Sequence, residues 1–167
     1  AMLPFPERLR ASGRRLRQRA ADIIHRQERG APASEAPRME ALLDAVNAAC
    51  AEMNTAVAAL CAHWIARDRT VGVVGGDHST PLGLYRALAA AKGPLGLLHL
   101  DAHRDLRRAY EGFAYSHASI MRNACDEGLV ARLVQVGVRD FCTEEQDYAD
   151  ASGGRILSFD ARSLDRR

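Results

Sequence analysis

Four short apolar runs in the second half of this 167-residue chain constrain its fold more than any other feature. They are Val71-Gly72-Val73-Val74, Leu95 to Leu100, Leu133 to Val138 and Ile156 to Phe159. Helix-like stretches separate them. Ser79 or Thr80 can cap a helix with Pro81 in its first turn and its end near Lys92-Gly93. His117 to Glu127 reads as a second helix, stopped by Gly128, and Thr143 to Ala151 as a third. Strands that are apolar throughout, rather than alternating, belong to parallel sheets buried on both faces. The predicted class is therefore α/β, a three-layer α/β/α sandwich with a mainly parallel sheet and right-handed crossovers.

Residues 1-69 have a different character, helical and rich in Ala and Arg. Gly30-Ala31-Pro32-Ala33-Ser34 breaks the helical period, and Ser34 can cap the next helix. From Glu35 to about Arg67, Leu42, Leu43, Val46, Ala49, Cys50, Met53, Val57, Leu60 and Trp64 recur at helical spacing. That stripe predicts one long amphipathic helix packed on the sheet, with Met53 and Trp64 in the core. The organisation expected is a helical N-terminal segment, 1-69, on a parallel α/β core, 70-167, within one structural domain.

Composition excludes several partners. Hydrophobic residues make up 47% and charged residues 26%, as in globular domains. A net charge of +2 is too small to argue for nucleic acid, and the arginines from Arg8 to Arg19 read as a solvated helix face. No apolar run reaches the roughly 18 residues of a membrane span, and no secretory signal pattern is present. Cys50, Cys61, Cys125 and Cys142 show no Cys-x-x-Cys spacing, so they read as reduced thiols in a cytoplasmic protein.

Two of the runs end in chemistry. Gly75-Gly76-Asp77-His78-Ser79 succeeds the first, and Asp101-Ala102-His103-Arg104-Asp105 succeeds the second. The carboxyl edge of an open α/β sheet is where ligands gather. In an extended chain alternate residues point the same way, so Asp101, His103 and Asp105 can converge, joined by His78 from the first run. Mixed imidazole and carboxylate donors suit Mn²⁺, and Zn²⁺ or Fe²⁺ less decisively. Two such ions about 3.5–4 Å apart can hold a bridging hydroxide that attacks at neutral pH. This donor set reads as the centre of a metal-dependent hydrolase.

Those two motifs resemble the ureohydrolase family of arginases and agmatinases, as do Tyr110-Glu111-Gly112-Phe113-Ala114-Tyr115-Ser116-His117 and Val134-Gln135-Val136-Gly137-Val138-Arg139. The similarity spans about residues 70 to 160 and looks most like agmatinase-type members. It implies an arginase-like fold and two Mn²⁺ ions that cleave a guanidino group of an agmatine-like substrate to urea and an amine. By motif, His78 and Asp105 would bind one metal, His103 the other, and Asp101 would bridge them. His117 matches a family histidine that passes protons to the leaving amine. A small guanidino substrate and a homo-oligomer are expected. The alternatives are a non-catalytic metal-binding or regulatory relative, or a formimino or acetylamine amidohydrolase of the same architecture.

The chain also departs from the family pattern. Ala118-Ser119-Ile120 replaces the usual Gly-Thr-Pro after Ser-His, which bears on substrate choice. The segment Ser158-Phe159-Asp160-Ala161-Arg162-Ser163-Leu164-Asp165-Arg166 imitates the one that completes the family's metal site, with Arg162 in place of an aspartate. Its distance from His103 is about one strand-helix unit too short, so Asp160 is expected to end a strand rather than bind metal. The chain is expected to be the central part of a larger domain, and alone to be inactive.

Overall fold

The glycine and proline break near residue 30 divides two helices, as its residues dictate. In the computed structural model, which describes residues 6–30 and 32–160, α1 spans Glu7–Glu28 and α2 spans Ala36–Ile65. A 3₁₀ turn, Ala33–Glu35, lies between them. Gly30 adopts φ +67°, open to a residue without Cβ. Arg26 fastens the turn by pairing with Asp22 at 2.9 Å and with Glu35 beyond the break. Ser34 does not cap α2; Glu35 holds that position without a side-chain hydrogen bond, and a proline occupies the first turn.

Helix α2 buries Val46, Asn54, Val57 and Cys61. By length and composition it could cross a membrane, its most apolar 18-residue window averaging a mean hydropathy of 1.2, although charged and polar residues interrupt every apolar run. In this fold it is a packing helix. Its partner is α3, Leu82–Lys92, and the two approach at Gly83, where a Cβ would lie 2.6 Å from the Asn54 carbonyl oxygen. The expected cap of α3 is also displaced. Pro81 is its N-cap residue, because the Ser79 hydroxyl turns back to Asp77.

Three parallel strands come next: β1 (Leu95–Leu100), β2 (Val130–Val138) and β3 (Ile156–Asp160), in the order β1-β2-β3. Between them run a 3₁₀ turn, His117–Ser119, with α4, Ile120–Asp126, and then α5, Thr143–Asp150. Leu97, Leu133 and Ile156 are in register across the sheet and share its buried face. They pack with Leu82, Leu106, Ile120, Met121, Cys125 and Ala149, so α3, α4 and α5 contribute to one core. The next row on that face is polar: His99, Gln135 and Ser158. On the opposite face Leu98 and Leu100 are 67% and 69% exposed.

The run Val71 to Val74 corrects the expectation of a fourth strand at that place. It forms no regular strand and, among the described residues, no ladder joins it to β1. Its alternation survives: Val71 and Val73 pack on Val57, Cys61, Leu84 and Ala87, while Val74 is exposed. Apolar residues fix which side is buried, but a strand also needs a neighbour to accept its backbone bonds. Residues 161–167, including Arg162, Asp165 and Arg166, lie outside the described residues.

Candidate metal centre

Consecutive left-handed glycines, Gly75 at φ +97° and Gly76 at φ +70°, turn the chain after Val74 and deliver His78. Asp77 tightens this turn by accepting hydrogen bonds from the Ser79 amide and hydroxyl. His78 Nδ1 then lies 2.7 Å from Asp105 Oδ2 and 3.3 Å from Asp101 Oδ2.

The chain leaving β1 keeps to the side of β2. The Asp101 amide donates to the Val136 carbonyl, and the Arg139 and Asp140 amides donate to the Ala102 carbonyl. Asp105 ends this path in the left-handed region, φ +55°, which aspartate tolerates better than most residues. Its carbonyl accepts the Met121 and Arg122 amides, two of the unpaired donors at the start of α4. The next amide, that of Leu106, donates to buried Glu145, whose other oxygen accepts the Cys142 amide at the start of α5. Two helix N-termini thus grip the one peptide unit that follows the Asp105 carboxylate.

Donor atoms of His78, His99, Asp101 and Asp105 all lie within 4.8 Å of one another. Three of the four expected ligands therefore converge. His103 adjoins this set through Asp101 rather than lying inside it: its ring is exposed, with Nδ1 3.2 Å from Asp101 Oδ1. The Asx turn formed by its own amide on Asp101 Oδ1 swings the ring outward. Asp101 thereby offers Oδ2 to the inner cluster and Oδ1 to His103.

His99 was not singled out in the sequence, where it reads as one residue of an apolar strand. The available signal was its alternation with Asp101, two residues on, which places both side chains on one face. His99 is 4% exposed.

Charge in the cluster is divided between imidazoles and carboxylates. The hydrogen bond to Asp105 raises the pKa of His78 against the opposing effect of its burial. Burial lowers that of His99. Burial works against ionisation of Asp101, but the His103 amide and the neighbouring imidazoles prevail, and its pKa falls below the usual range. Two adjacent carboxylates, with the Asp105 side chain only 5% exposed, call for compensating positive charge. With His78 beside them, this mixed imidazole and carboxylate set fits a divalent cation.

His117 opens its 3₁₀ turn and is exposed, its ring 5.8 Å from that of Tyr110. It lines a cavity of about 180 Å³ together with His103, Asp105, Arg107, Tyr110 and Asp140. Of Ala118-Ser119-Ile120, only Ala118 reaches this cavity; Ser119 and Ile120 are buried.

A family model described as arginase family matches residues 5–167. Proclavaminate amidinohydrolase from Streptomyces clavuligerus is 39% identical over 92 residues, 53% of this chain and 29% of that protein. Agmatinase from Bacillus cereus is 33% identical over 87 residues, 52% of this chain and 30% of that protein. The solved arginase from Medicago truncatula superposes with a TM-score of 0.65 at 28% identity, over 74% of this chain and 40% of the other. The matched segments span less than a third of the length of the two sequence relatives.

Proposed function

This chain belongs to the arginase family, and on that premise we propose that the protein is a binuclear manganese hydrolase that cleaves an agmatine-like guanidino compound to urea and an amine. The observation that carries the reading is the position of Asp101, whose two carboxylate oxygens face different histidines, His78 at 3.3 Å and His103 at 3.2 Å. A carboxylate so placed can serve two ions. His78 and Asp105 would hold one, His103 the other. When bound, the ions supply Lewis acidity and a water acidic enough to act at neutral pH.

The remaining work falls to side chains. Asp140 lies beside His103, with its Oδ2 3.8 Å from Nε2, and can steady that exposed ring. His117, on the rim of the same cavity, would pass a proton to the departing amine nitrogen, so that water and a guanidine leave as urea and amine. On the same reading the protein works in the cytoplasm as a homo-oligomer, on a small substrate.

A second reading, a formimino amidohydrolase of the same architecture, is favoured by Arg107. Its guanidinium lines the cavity and could meet a carboxylate on such a substrate, although Glu145 Oε2 also stands 3.7 Å from its Nε. Product analysis separates the two. The intact protein loaded with Mn²⁺ is expected to release urea from alkylguanidines; formamide from formimino compounds, with no urea from any guanidine, would favour the second reading. His117→Ala should lower kcat by about 10²–10⁴-fold, the usual worth of a proton-transfer group, with metal content unchanged by mass spectrometry.

A further inference from the structure

His99 lies inside the cluster and is chemically able to bind a metal, but the hydrogen bonds behind it allot its two nitrogens to other work. The polar row across the sheet decides which nitrogen carries the proton. Gln135 Nε2 lies 2.7 Å from the Arg104 carbonyl oxygen, an acceptor only, so the amide nitrogen of Gln135 must face that way. Its Oε1 then accepts the Ser158 hydroxyl at 3.0 Å, which agrees with the same orientation. The second hydrogen of that amide points to His99 Nδ1 at 2.9 Å. A nitrogen that receives a hydrogen bond presents a lone pair, so the proton of the neutral ring sits on Nε2.

Nε2 is the atom that faces the centre. It is buried without a hydrogen-bond partner and lies 3.9 Å from Asp101 Oδ2 and 3.8 Å from Asp105 Oδ2. Resting on the metal reading above, we propose that His99 is a positioning residue rather than a ligand. It presents an Nε2–H donor to the two metal-binding carboxylates and is locked in that tautomer by Gln135 and Ser158. A metal bound at Nε2 would require the proton to move to Nδ1, against the amide of Gln135. That amide cannot turn over without setting its oxygen against the Arg104 carbonyl. At 3.8 and 3.9 Å the Nε2–H acts on the two carboxylates as an aimed dipole just short of a hydrogen bond, and polar groups behind metal-binding carboxylates orient them and tune the ion.

The test reads the proton directly. In the intact protein labelled with ¹⁵N-histidine, long-range ¹H–¹⁵N correlation should show His99 as the Nε2–H tautomer, both metal-free and with ¹¹³Cd²⁺. Coupling to ¹¹³Cd is expected at a His78 nitrogen and absent at His99. Two variants separate the remaining roles. His99→Phe keeps a ring of similar size without a donor and should weaken Mn²⁺ binding by about 10–100-fold, as loss of an outer partner does. His99→Gln can place an amide donor near the Nε2 position and should recover most of that loss. A proton on Nδ1, or ¹¹³Cd coupling at His99 Nε2, overturns the assignment and leaves the metal reading standing. Full Mn²⁺ affinity in His99→Phe would show that the ring only packs, and also overturns it. If the wild-type protein binds neither Cd²⁺ nor Mn²⁺, the metal reading itself fails, and this assignment with it.

Discussion

Asp101 joins more of the centre than any other side chain, touching His78 through one oxygen and His103 through the other. Among the described residues, Asp105 answers to His78 alone at hydrogen-bond distance. Neutralising Asp101 therefore disturbs both halves of the site, and Asp101→Asn should cost more Mn²⁺ affinity than Asp105→Asn. Asparagine also tolerates the left-handed backbone at 105, so the comparison isolates charge rather than strain. Titration monitored by electron paramagnetic resonance checks this; equal losses would argue against a bridging Asp101. His78, Asp101 and Asp105 were legible in the sequence because each comes after a strand-like run within a short, unusual motif. His99 was not, since a histidine among leucines carries no local sign of its partners. The outward turn of His103 was hidden for a different reason: it depends on an Asx turn, a choice of the backbone that alternation alone does not reveal.

Two packed elements carry their own tests. The approach of α2 and α3 at Gly83 leaves no room for a methyl group, which would stand 2.6 to 2.8 Å from the Asn54 carbonyl, the Val57 Cβ and the Ala58 amide. Two of those atoms are backbone and cannot swing aside. Gly83→Ala should therefore destabilise the fold by about 1–3 kcal/mol, the usual range for overpacking, and lower the denaturant midpoint accordingly. At the far end of α4, Asp126 accepts from Tyr148 at 2.6 Å and from Arg122 at 2.7 Å. Its partial burial opposes ionisation, but these two donors outweigh it and hold the pKa below the ordinary carboxylate value. A depressed folded pKa contributes stability above the unfolded value and loses it as pH falls through the folded one. Asp126→Asn should thus be less stable than the wild type near neutrality, with the difference shrinking in acid. Denaturant midpoints measured across pH track it, and a constant difference would remove the carboxylate from the account. Helix α2 was readable from its helical spacing, and β1 and β3 from their short continuous apolar runs. The run at 71 to 74 was not, because its apolar residues find α2 instead of a ladder partner.

At the scale of the whole molecule, the sheet is unequal on its two faces. One face is buried under α3, α4 and α5 and ends in the metal centre. The other presents Leu98 and Leu100, with Leu157 and Phe159 further along the same face at 36% and 38% exposure. Val134 and Val136 are in register between them, so the apolar surface is continuous across all three strands. Surfaces of this kind are association sites, and β1 adds a second invitation, since among the described strands it pairs only with β2 and leaves an edge. The 167-residue chain on its own should therefore self-associate with rising concentration. Leu98→Lys with Leu100→Lys places two charges on that face, while the side chains of His99 and Asp101 point the other way. The double variant should stay dispersed at concentrations where the parent associates, and it should retain the parent's Mn²⁺ affinity. Sedimentation of both chains, alongside metal titration, decides the matter. Unchanged association would move the contact to another surface, and lost metal binding would show that the two faces of β1 are not independent.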